Sequence, residues 1–122
     1  MKLHASAPGG ANTITGYGAD YVVVNGERRG SSVIVMPERI LPWAAASFEA
    51  LSAEDFIFLK NLNTEIILLG TGARQRFPHP RLIAPLARAG IGLEVMDTQA
   101  ACRTYNILVA EARNIAAALL FQ

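Results

Sequence analysis

The feature that most constrains the fold is an apolar run near the middle of the chain. Residues 65–69 read Glu-Ile-Ile-Leu-Leu, and Gly70, Thr71 and Gly72 follow directly. A continuous apolar run has no polar face, so it predicts a β-strand that is covered on both sides. Such strands belong to sheets with helices packed on them, so we expect an α/β domain.

The segments after this run predict a parallel strand–helix–strand unit. Pro80 suits the first turn of a helix, and Gly90 suits its C-terminal cap. Residues 91–96 predict the next strand, and Asp97 or Thr98 can cap a final helix. The helix that begins near Pro80 is expected to bury Leu82, Ile83, Leu86 and Ala87. The final helix is expected to contain Tyr105, Leu108 and Val109. This order of elements predicts a parallel crossover.

The first third of the chain predicts an antiparallel β unit. Residues 21–24 and 32–36 are rich in β-branched residues, as strands are. Asn25 and Gly26 lie between them and supply the positive φ angles of a tight hairpin turn. Residues 1–12 are rich in Gly, Ala and Ser, and we expect them to form a flexible arm.

A less regular stretch and a short helix follow. Pro42 and Trp43 open the irregular stretch, where Trp43 is either an exposed binding anchor or a buried side chain. Ser52 is expected to cap a helix, because the acidic residues Glu54 and Asp55 follow it in the first turn. The helix is expected to run through Phe56, Leu59 and Lys60.

Length and composition indicate one globular domain. We assign all 122 residues to it, and 52% of them are hydrophobic, which is enough for a packed core. The net charge of +1 argues against a partner that is a nucleic acid. Nine of the eleven basic residues are arginine, which favours planar interfacial contacts, although a GC-rich genome produces the same bias.

The absence of several sequence features further restricts the class of protein and its cellular compartment. Cys102 is the single cysteine, which excludes an intramolecular disulfide and fits a reducing compartment. The N-terminus lacks the apolar stretch of a signal peptide, and no run approaches the roughly 18 apolar residues of a membrane span. The sequence thus predicts a cytoplasmic protein without direct membrane insertion. It also predicts no metal site, because no paired ligand spacing occurs.

The loop Gly70–Gly72 is the first candidate site. It follows a strand, where open α/β sheets bind ligands, and its amides can hold an anion. Arg74 and Arg76 can support a phosphate or carboxylate there. The dinucleotide fingerprint needs a third glycine, however, and Gln75 stands in its place. A tight turn flanked by solvated arginines explains the same residues.

Cys102 is the second candidate. A position in the first turn of the final helix and the neighbouring Arg103 would both lower the thiol pKa. A nucleophile also needs a base, and the sequence places neither His4 nor His79 near this thiol. A small buried thiol is the simpler interpretation. We therefore assign no catalytic residue.

The acidic residues of the C-terminal half are the third candidate. Glu94 lies in a predicted strand and Asp97 just after it, where carboxylates can be catalytic, although Asp97 is more simply a helix cap. Glu111 can form an ion pair with Arg113 or with Arg103. These residues predict a polar cluster that is either structural or partner-facing.

Several motifs in combination resemble a known family. The motifs are Leu-Gly-Thr-Gly at 69–72, Gly-Ile-Gly-Leu-Glu-Val-Met-Asp-Thr at 90–98, Ala-Ala-Cys-Arg-Thr-Tyr-Asn-Ile-Leu at 100–108, and Glu-Ala-Arg at 111–113. They resemble a family of small α/β proteins of largely undefined biochemistry that includes the mitochondrial respiratory complex I assembly factor 3. The resemblance covers the chain from Ile14 to Leu120.

The resemblance implies a three-layer α/β domain with a mixed central sheet, helices and an additional N-terminal β layer. It implies that residues 114–120 form a strand, although their alanines favour a helix. Residues 111–113 then form the preceding turn, where Ala112 stands at a position that is usually glycine. Alanine there costs roughly 1 kcal/mol if the turn requires left-handed geometry.

The resemblance also implies a non-enzymatic protein that binds other proteins during assembly of a membrane NADH:quinone oxidoreductase, without a cofactor. Its partner would be a respiratory-complex subunit or another assembly factor, and the missing presequence predicts a bacterial member. The expected binding surface comprises Gly70, Thr71, Gly72, Arg74, Cys102, Arg103, Asn106 and Arg113. Two alternatives stay open: an anion-binding enzyme or redox sensor that uses Gly70–Gly72 and Cys102, and a homodimer joined through an edge strand.

Overall fold

The computed structural model describes residues 8–121. Within this range a single 3-10 turn, Pro8–Gly10, precedes eight strands and three α-helices. The strands are β1 (Ile14–Tyr17), β2 (Val22–Val24), β3 (Glu27–Arg29), β4 (Val33–Val35), β5 (Ile40–Pro42), β6 (Ile66–Thr71), β7 (Gly92–Met96) and β8 (Ile115–Leu120). The helices are α1 (Ala53–Lys60), α2 (Pro80–Arg88) and α3 (Thr98–Ala110).

The central layer is a mixed five-stranded sheet with the order β5-β4-β8-β6-β7. Strand β4 is antiparallel to β5 and β8, whereas β6 is parallel to both β7 and β8. Helices α1 and α2 cover one face of this sheet. Helix α3 and a separate antiparallel sheet, β1-β2-β3, cover the other. The predicted three-layer α/β fold is therefore confirmed.

The predicted antiparallel unit is present, but it is divided between the two sheets. Asn25 and Gly26 have φ angles of 52° and 83° and form the predicted hairpin turn, but this turn leads from β2 into β3, a strand that was not predicted. Strand β4 instead joins the central sheet, where it pairs with β5. Strand β5 was not predicted, because Pro42 at its end indicated an irregular segment. Trp43 is buried, with 6% of its surface exposed.

The predicted helix caps are confirmed. The backbone N–H of Ser52 donates to the Asp55 carboxylate at the start of α1. Asp97 caps α3, since its side chain accepts from the Ala100 N–H at 2.9 Å. Leu86 is buried as predicted, but Ala87 is exposed. That prediction was wrong because the buried stripe of α2 is narrower than the run of apolar residues.

The end of the expected N-terminal arm is held by the domain. Residues 1–7 lie outside the described part of the chain. Asn12 donates through its backbone N–H to the Pro37 carbonyl and through its side chain to the Met36 carbonyl, both at 2.9 Å. The Tyr105 hydroxyl donates to the Asn12 carbonyl at 2.8 Å. These bonds attach the segment before β1 to the residues that follow β4 and to α3.

Strand β8 confirms the interpretation that came from the resemblance. All six of its residues, Ile115–Leu120, are buried between β4 and β6. Tertiary pairing thus overrides the helix propensity of its three alanines. Their small side chains also leave room for the layers on both faces of the sheet. No helix among residues 8–121 is long and apolar enough to span a membrane.

Helices α2 and α3 end with the same backbone motif. In α2 the Ile91 N–H donates to the Leu86 carbonyl, and Gly90 has a φ of 73°. In α3 the Arg113 N–H donates to the Leu108 carbonyl, and Ala112 has a φ of 59°. The left-handed position after the cap favours glycine, because glycine lacks a Cβ atom. Ala112 is therefore strained, whereas Gly90 is not.

The substitutions Ala112→Gly and Gly90→Ala are expected to change the stability of the protein in opposite directions. Ala112→Gly should raise the free energy of unfolding by about 0.5–1 kcal/mol, because it relieves left-handed strain. Gly90→Ala should lower it by about 1 kcal/mol through strain alone, since a Cβ atom there meets nothing within 4 Å. Urea denaturation measures both. A destabilising Ala112→Gly would mean that the alanine is not strained.

Candidate functional site

The loop Gly70–Gly72 lies where the central sheet changes its winding direction. The connection from β6 to β7 carries α2 on one face, and the connection from β7 to β8 carries α3 on the other. The carboxyl ends of β6 and β7 therefore lie between diverging connections. Open α/β sheets bind ligands at this position. The structure thus places the glycine loop where the sequence predicts it.

The crevice at this position is filled by Thr98. The Gly72 N–H donates to the Thr98 hydroxyl at 2.8 Å, and the Thr98 N–H donates to the Gly72 carbonyl at 2.9 Å. The same hydroxyl donates to the Leu120 carbonyl. A Cβ atom on Gly70 would lie 3.0 Å from the Thr98 Cα. Gly70 therefore allows α3 to approach the sheet, and the Gly72 amide is not free to hold an anion.

Thr71 organises the turn that follows β6. Its buried hydroxyl donates to the Arg74 carbonyl at 2.7 Å and accepts from the Arg76 N–H at 3.1 Å. The Met96 carbonyl of β7 lies 3.2 Å from the same oxygen. One threonine thus fixes the backbone that carries both arginines, which a local sequence pattern does not reveal.

Arg76 is the most constrained cation of this region. Its guanidinium donates to the Glu49 carboxylate and to the Thr71 carbonyl, both at 2.8 Å. It also lies 4.4 Å from the centroid of the Phe48 ring, and 18% of its side chain is exposed. The buried Nε has no partner among the described residues. Arg76 is therefore not the solvated residue that a simple turn would have.

A groove of about 360 Å³ lies next to this arginine. Its lining is Phe48, Glu49, Leu51, Arg74, Arg76, Pro78, His79 and Leu82. The backbone N–H of Glu49 donates to its own carboxylate, and this bond, together with the charges of Arg76 and Arg74, lowers the pKa of that carboxylate. Phe77 follows Arg76 in the chain and is 69% exposed. We call Phe48, Glu49, Arg74, Arg76 and Phe77 the carboxyl-edge surface.

Cys102 lies in the core and not at a surface. It is fully buried in the hydrophobic cluster that also contains Tyr105 and Ile115. Burial raises the pKa of its thiol to about 12, against the smaller opposing effect of Arg103. The thiolate that a nucleophile or a redox sensor requires is thus disfavoured.

Asn106 fastens the smaller sheet to α3. Its amide accepts from the Ile14 N–H at 2.9 Å and donates to the Ile14 carbonyl at 2.7 Å. Nearby, Arg103 donates to the Tyr17 hydroxyl at 2.8 Å from an exposed position. The side chain of Asn106 therefore substitutes for a neighbouring strand of β1. Its role in packing leaves little of it accessible, since 7% of its surface is exposed.

Arg113 lies at the opposite end of the strands of the central sheet, just before β8. Its guanidinium donates to the Glu65 carboxylate at 2.9 Å, and this contact lowers the pKa of Glu65. Both residues precede strands that run parallel to each other. Strand β6 separates them from Gly70–Gly72 by about 15–20 Å. The eight residues predicted to bind a partner therefore do not form one surface, although binding by any of them stays a prediction.

The remaining candidates have structural positions. The His79 ring accepts from the Arg81 N–H at 3.0 Å and caps α2, while His4 lies outside the described residues. Glu94 is exposed on β7, and Glu111 is the C-terminal cap of α3. No group of acidic, histidine or cysteine side chains within residues 8–121 is suited to hold a metal ion.

Comparison with known proteins gives the family. A family model described as "Protein of unknown function (DUF498/DUF598)" matches residues 14–120. The chain belongs to this family. The crystal structure of a protein from Bordetella parapertussis superposes with a TM-score of 0.86 at 39% identity, covering 93% of this chain and 98% of that one.

Curated relatives carry a functional name. The chain is 35% identical over 122 residues to a Danio rerio protein named NADH dehydrogenase [ubiquinone] 1 alpha subcomplex assembly factor 3, covering 98% of this chain and 68% of that protein. A Xenopus tropicalis protein of the same name is 33% identical over 106 residues, covering 85% of this chain. The chain spans only 58% of the length of the latter.

Removal of the Asn106 amide tests the attachment of the smaller sheet in this DUF498/DUF598 member. Asn106→Ala should lower the free energy of unfolding by about 2–4 kcal/mol, because the buried N–H and carbonyl of Ile14 lose their partners. Ile107→Ala is a matched control, since that neighbour is 60% exposed. Urea denaturation should show a change below about 0.5 kcal/mol for the control. An equally small effect for Asn106→Ala would contradict this role.

The buried thiol gives a second prediction. At pH 8 the thiolate fraction of native Cys102 should be about a thousandfold smaller than that of an ordinary thiol, because burial raises its pKa to about 12. Ellman's reagent should therefore react slowly with the folded protein and rapidly in urea. Fast reaction of the folded protein would restore the redox-sensor hypothesis.

Proposed function

We propose that this protein is a non-enzymatic, assembly-factor-like protein that binds a protein partner through the carboxyl-edge surface. The partner class we propose is a subunit, or another assembly factor, of a respiratory NADH:quinone oxidoreductase. The relatives named as assembly factor 3 support this partner class. These relatives are longer than this chain, so their partner class is proposed for this protein. We also propose that the protein works in a bacterial cytoplasm.

The exposure of the Phe77 ring is the observation that supports the choice of this surface. Its ring is 69% exposed, although it sits in a loop whose backbone is fixed by the buried Thr71 hydroxyl. Exposed aromatic rings on rigid backbones act as anchors for protein partners, and arginines often accompany them. Arg74 is exposed and Arg76 is held in place beside it. The loop therefore combines an apolar anchor with one preorganised cation, Arg76.

The helical layer of α1 and α2 also exposes apolar side chains. Ile57 and Phe58 of α1 are each 44% exposed, while Phe56 and Leu59 of the same helix fill the core. A short helix that is apolar on both sides has more apolar surface than its own core uses. Contact with a partner protein would cover the remainder.

The alternative of an anion-binding enzyme or redox sensor has less support. The Gly72 amide is already bonded to Thr98, so the loop offers no open cradle. The Cys102 thiol is buried, with its pKa raised to about 12. An anion would have to bind at Arg74 and Arg76, where Glu49 already neutralises part of the charge. Protein binding requires none of these groups to be freed.

The Phe77 anchor can be tested by co-purification. Phe77→Ala in the tagged protein, expressed at its native level with membranes included, should reduce recovery of respiratory-complex proteins at least tenfold, the usual effect of losing an aromatic anchor. The stability of the fold should not change, because the ring lies outside the core. Quantitative mass spectrometry of the bound proteins measures the effect.

Ile107→Ala is the matched control for this experiment. Ile107 is an exposed apolar residue of α3, on the other face of the central sheet. Its replacement should leave recovery unchanged. Equal recovery with Phe77→Ala, Ile107→Ala and the unchanged protein would remove the carboxyl-edge surface from the proposal. Recovery of no respiratory-complex protein under mild crosslinking would remove the proposed partner class.

A further inference from the structure

Strand β7 is the more accessible of the two edges of the central sheet. It contains five residues, Gly92–Met96, without a proline or a lysine. The other edge, β5, has three residues and ends at Pro42. Proteins usually protect exposed edges by shortness, proline or charge, because an unpaired edge accepts further strands. Strand β7 has one charged residue, Glu94, as such protection.

The free hydrogen-bonding groups of β7 follow from the pairing on its other side. The Gly92 N–H donates to the Glu65 carbonyl at 2.9 Å, so Gly92 points toward β6. Successive residues of a strand direct their main-chain groups to opposite sides. The N–H and carbonyl groups of Leu93 and Val95 therefore point away from the sheet.

A side chain covers part of this edge. The Gln75 amide donates to the Val95 carbonyl at 2.9 Å, in the place where the N–H of an adjacent strand would lie. Gln75 is exposed and belongs to the loop of the carboxyl-edge surface. No other hydrogen bond to the outward groups of Leu93 and Val95 occurs among residues 8–121.

We propose that β7 is a docking edge for an extended segment of a partner protein, which pairs antiparallel to it with a basic residue opposite Glu94. The partner strand displaces Gln75 from the Val95 carbonyl and takes up the four outward groups of Leu93 and Val95. This is the geometry of β-augmentation, in which main-chain bonds give affinity and alternate side chains give specificity. The inference rests on the proposed function, since it assumes a protein partner.

The charge of Glu94 selects the partner. Glu94 is paired with Leu68 in the β6–β7 register, so both point to the α3 side of the sheet. Its carboxylate is exposed and makes no ion pair with any residue that the structure describes. Opposite charges directly across a strand pair stabilise it, and like charges destabilise it. A lysine or arginine of the partner is thus favoured at this position.

The same carboxylate argues against a second copy of the chain as the occupant. A symmetric antiparallel pair that uses all five residues of β7 places Glu94 directly opposite Glu94 of the other copy. Cα atoms in such a non-hydrogen-bonded pair are about 4.5 Å apart. The two carboxylates would then repel each other, so the edge pairs with a different, basic strand.

Reversing the charge on one copy supplies a basic strand of known structure. Unchanged protein and Glu94→Lys protein should each sediment as a monomer, while their equimolar mixture should form a heterodimer in low salt. The amide resonances of Leu93 and Val95 should shift only in the mixture. Added salt should weaken the dimer because the lysine–glutamate pair is exposed.

Proline variants show whether the edge itself is responsible. Val95→Pro removes an outward N–H and leaves the bonds to β6 intact, so it should abolish the heterodimer. Leu93→Pro serves the same purpose if Val95→Pro does not fold. The proposal is overturned if the mixture stays monomeric, if the dimer survives a folded proline variant, or if the unchanged protein dimerises alone through β7. None of these outcomes depends on Phe77, so the proposed function is tested separately by co-purification.

Discussion

The whole domain depends on the pairing of the last strand, β8, in the middle of the central sheet. Strand β8 joins β4, from the antiparallel N-terminal part, to β6, from the parallel C-terminal part. All its residues are buried, and the Leu120 carbonyl accepts from Thr98 at the start of α3. The two halves of the sheet have no other strand in common. The chain therefore completes its core only when its C-terminal segment is in place, which makes the folding contacts strongly non-local.

Local patterns predicted the elements whose structure is decided locally. The buried run of β6, the turn at Asn25 and Gly26, and the cap at Ser52 all follow from short-range chemistry. Strand β8 does not, because alanines favour a helix until two neighbouring strands compete for their backbone. Only the family resemblance predicted it. The strain at Ala112 likewise becomes visible only when the backbone angles are known.

The candidate site shows a different limit of sequence reasoning. Glycines after a strand are equally suited to bind an anion and to let a helix approach closely, and the deciding residue, Thr98, lies 26 positions beyond Gly72. The arginines are similar. Arg103 and Arg113 bond to Tyr17 and Glu65 of the chain itself, so these two arginines take part in contacts within the fold. Position along the sequence therefore located the crevice correctly but did not reveal that it is filled.

Because Thr98 fills the crevice, a partner has to bind to the surface around the crevice or to the free edge strand β7. An edge that binds a partner reversibly must remain unpaired at other times, and β7 has two features that suit this. The bond from Gln75 to Val95 covers one carbonyl at a net stabilisation of about 0.5–1.5 kcal/mol, which a strand offering several main-chain bonds can displace. Glu94 opposes self-pairing without any loss of packing, because its carboxylate is exposed. Reversible protection of this kind permits release of a bound strand as well as its binding.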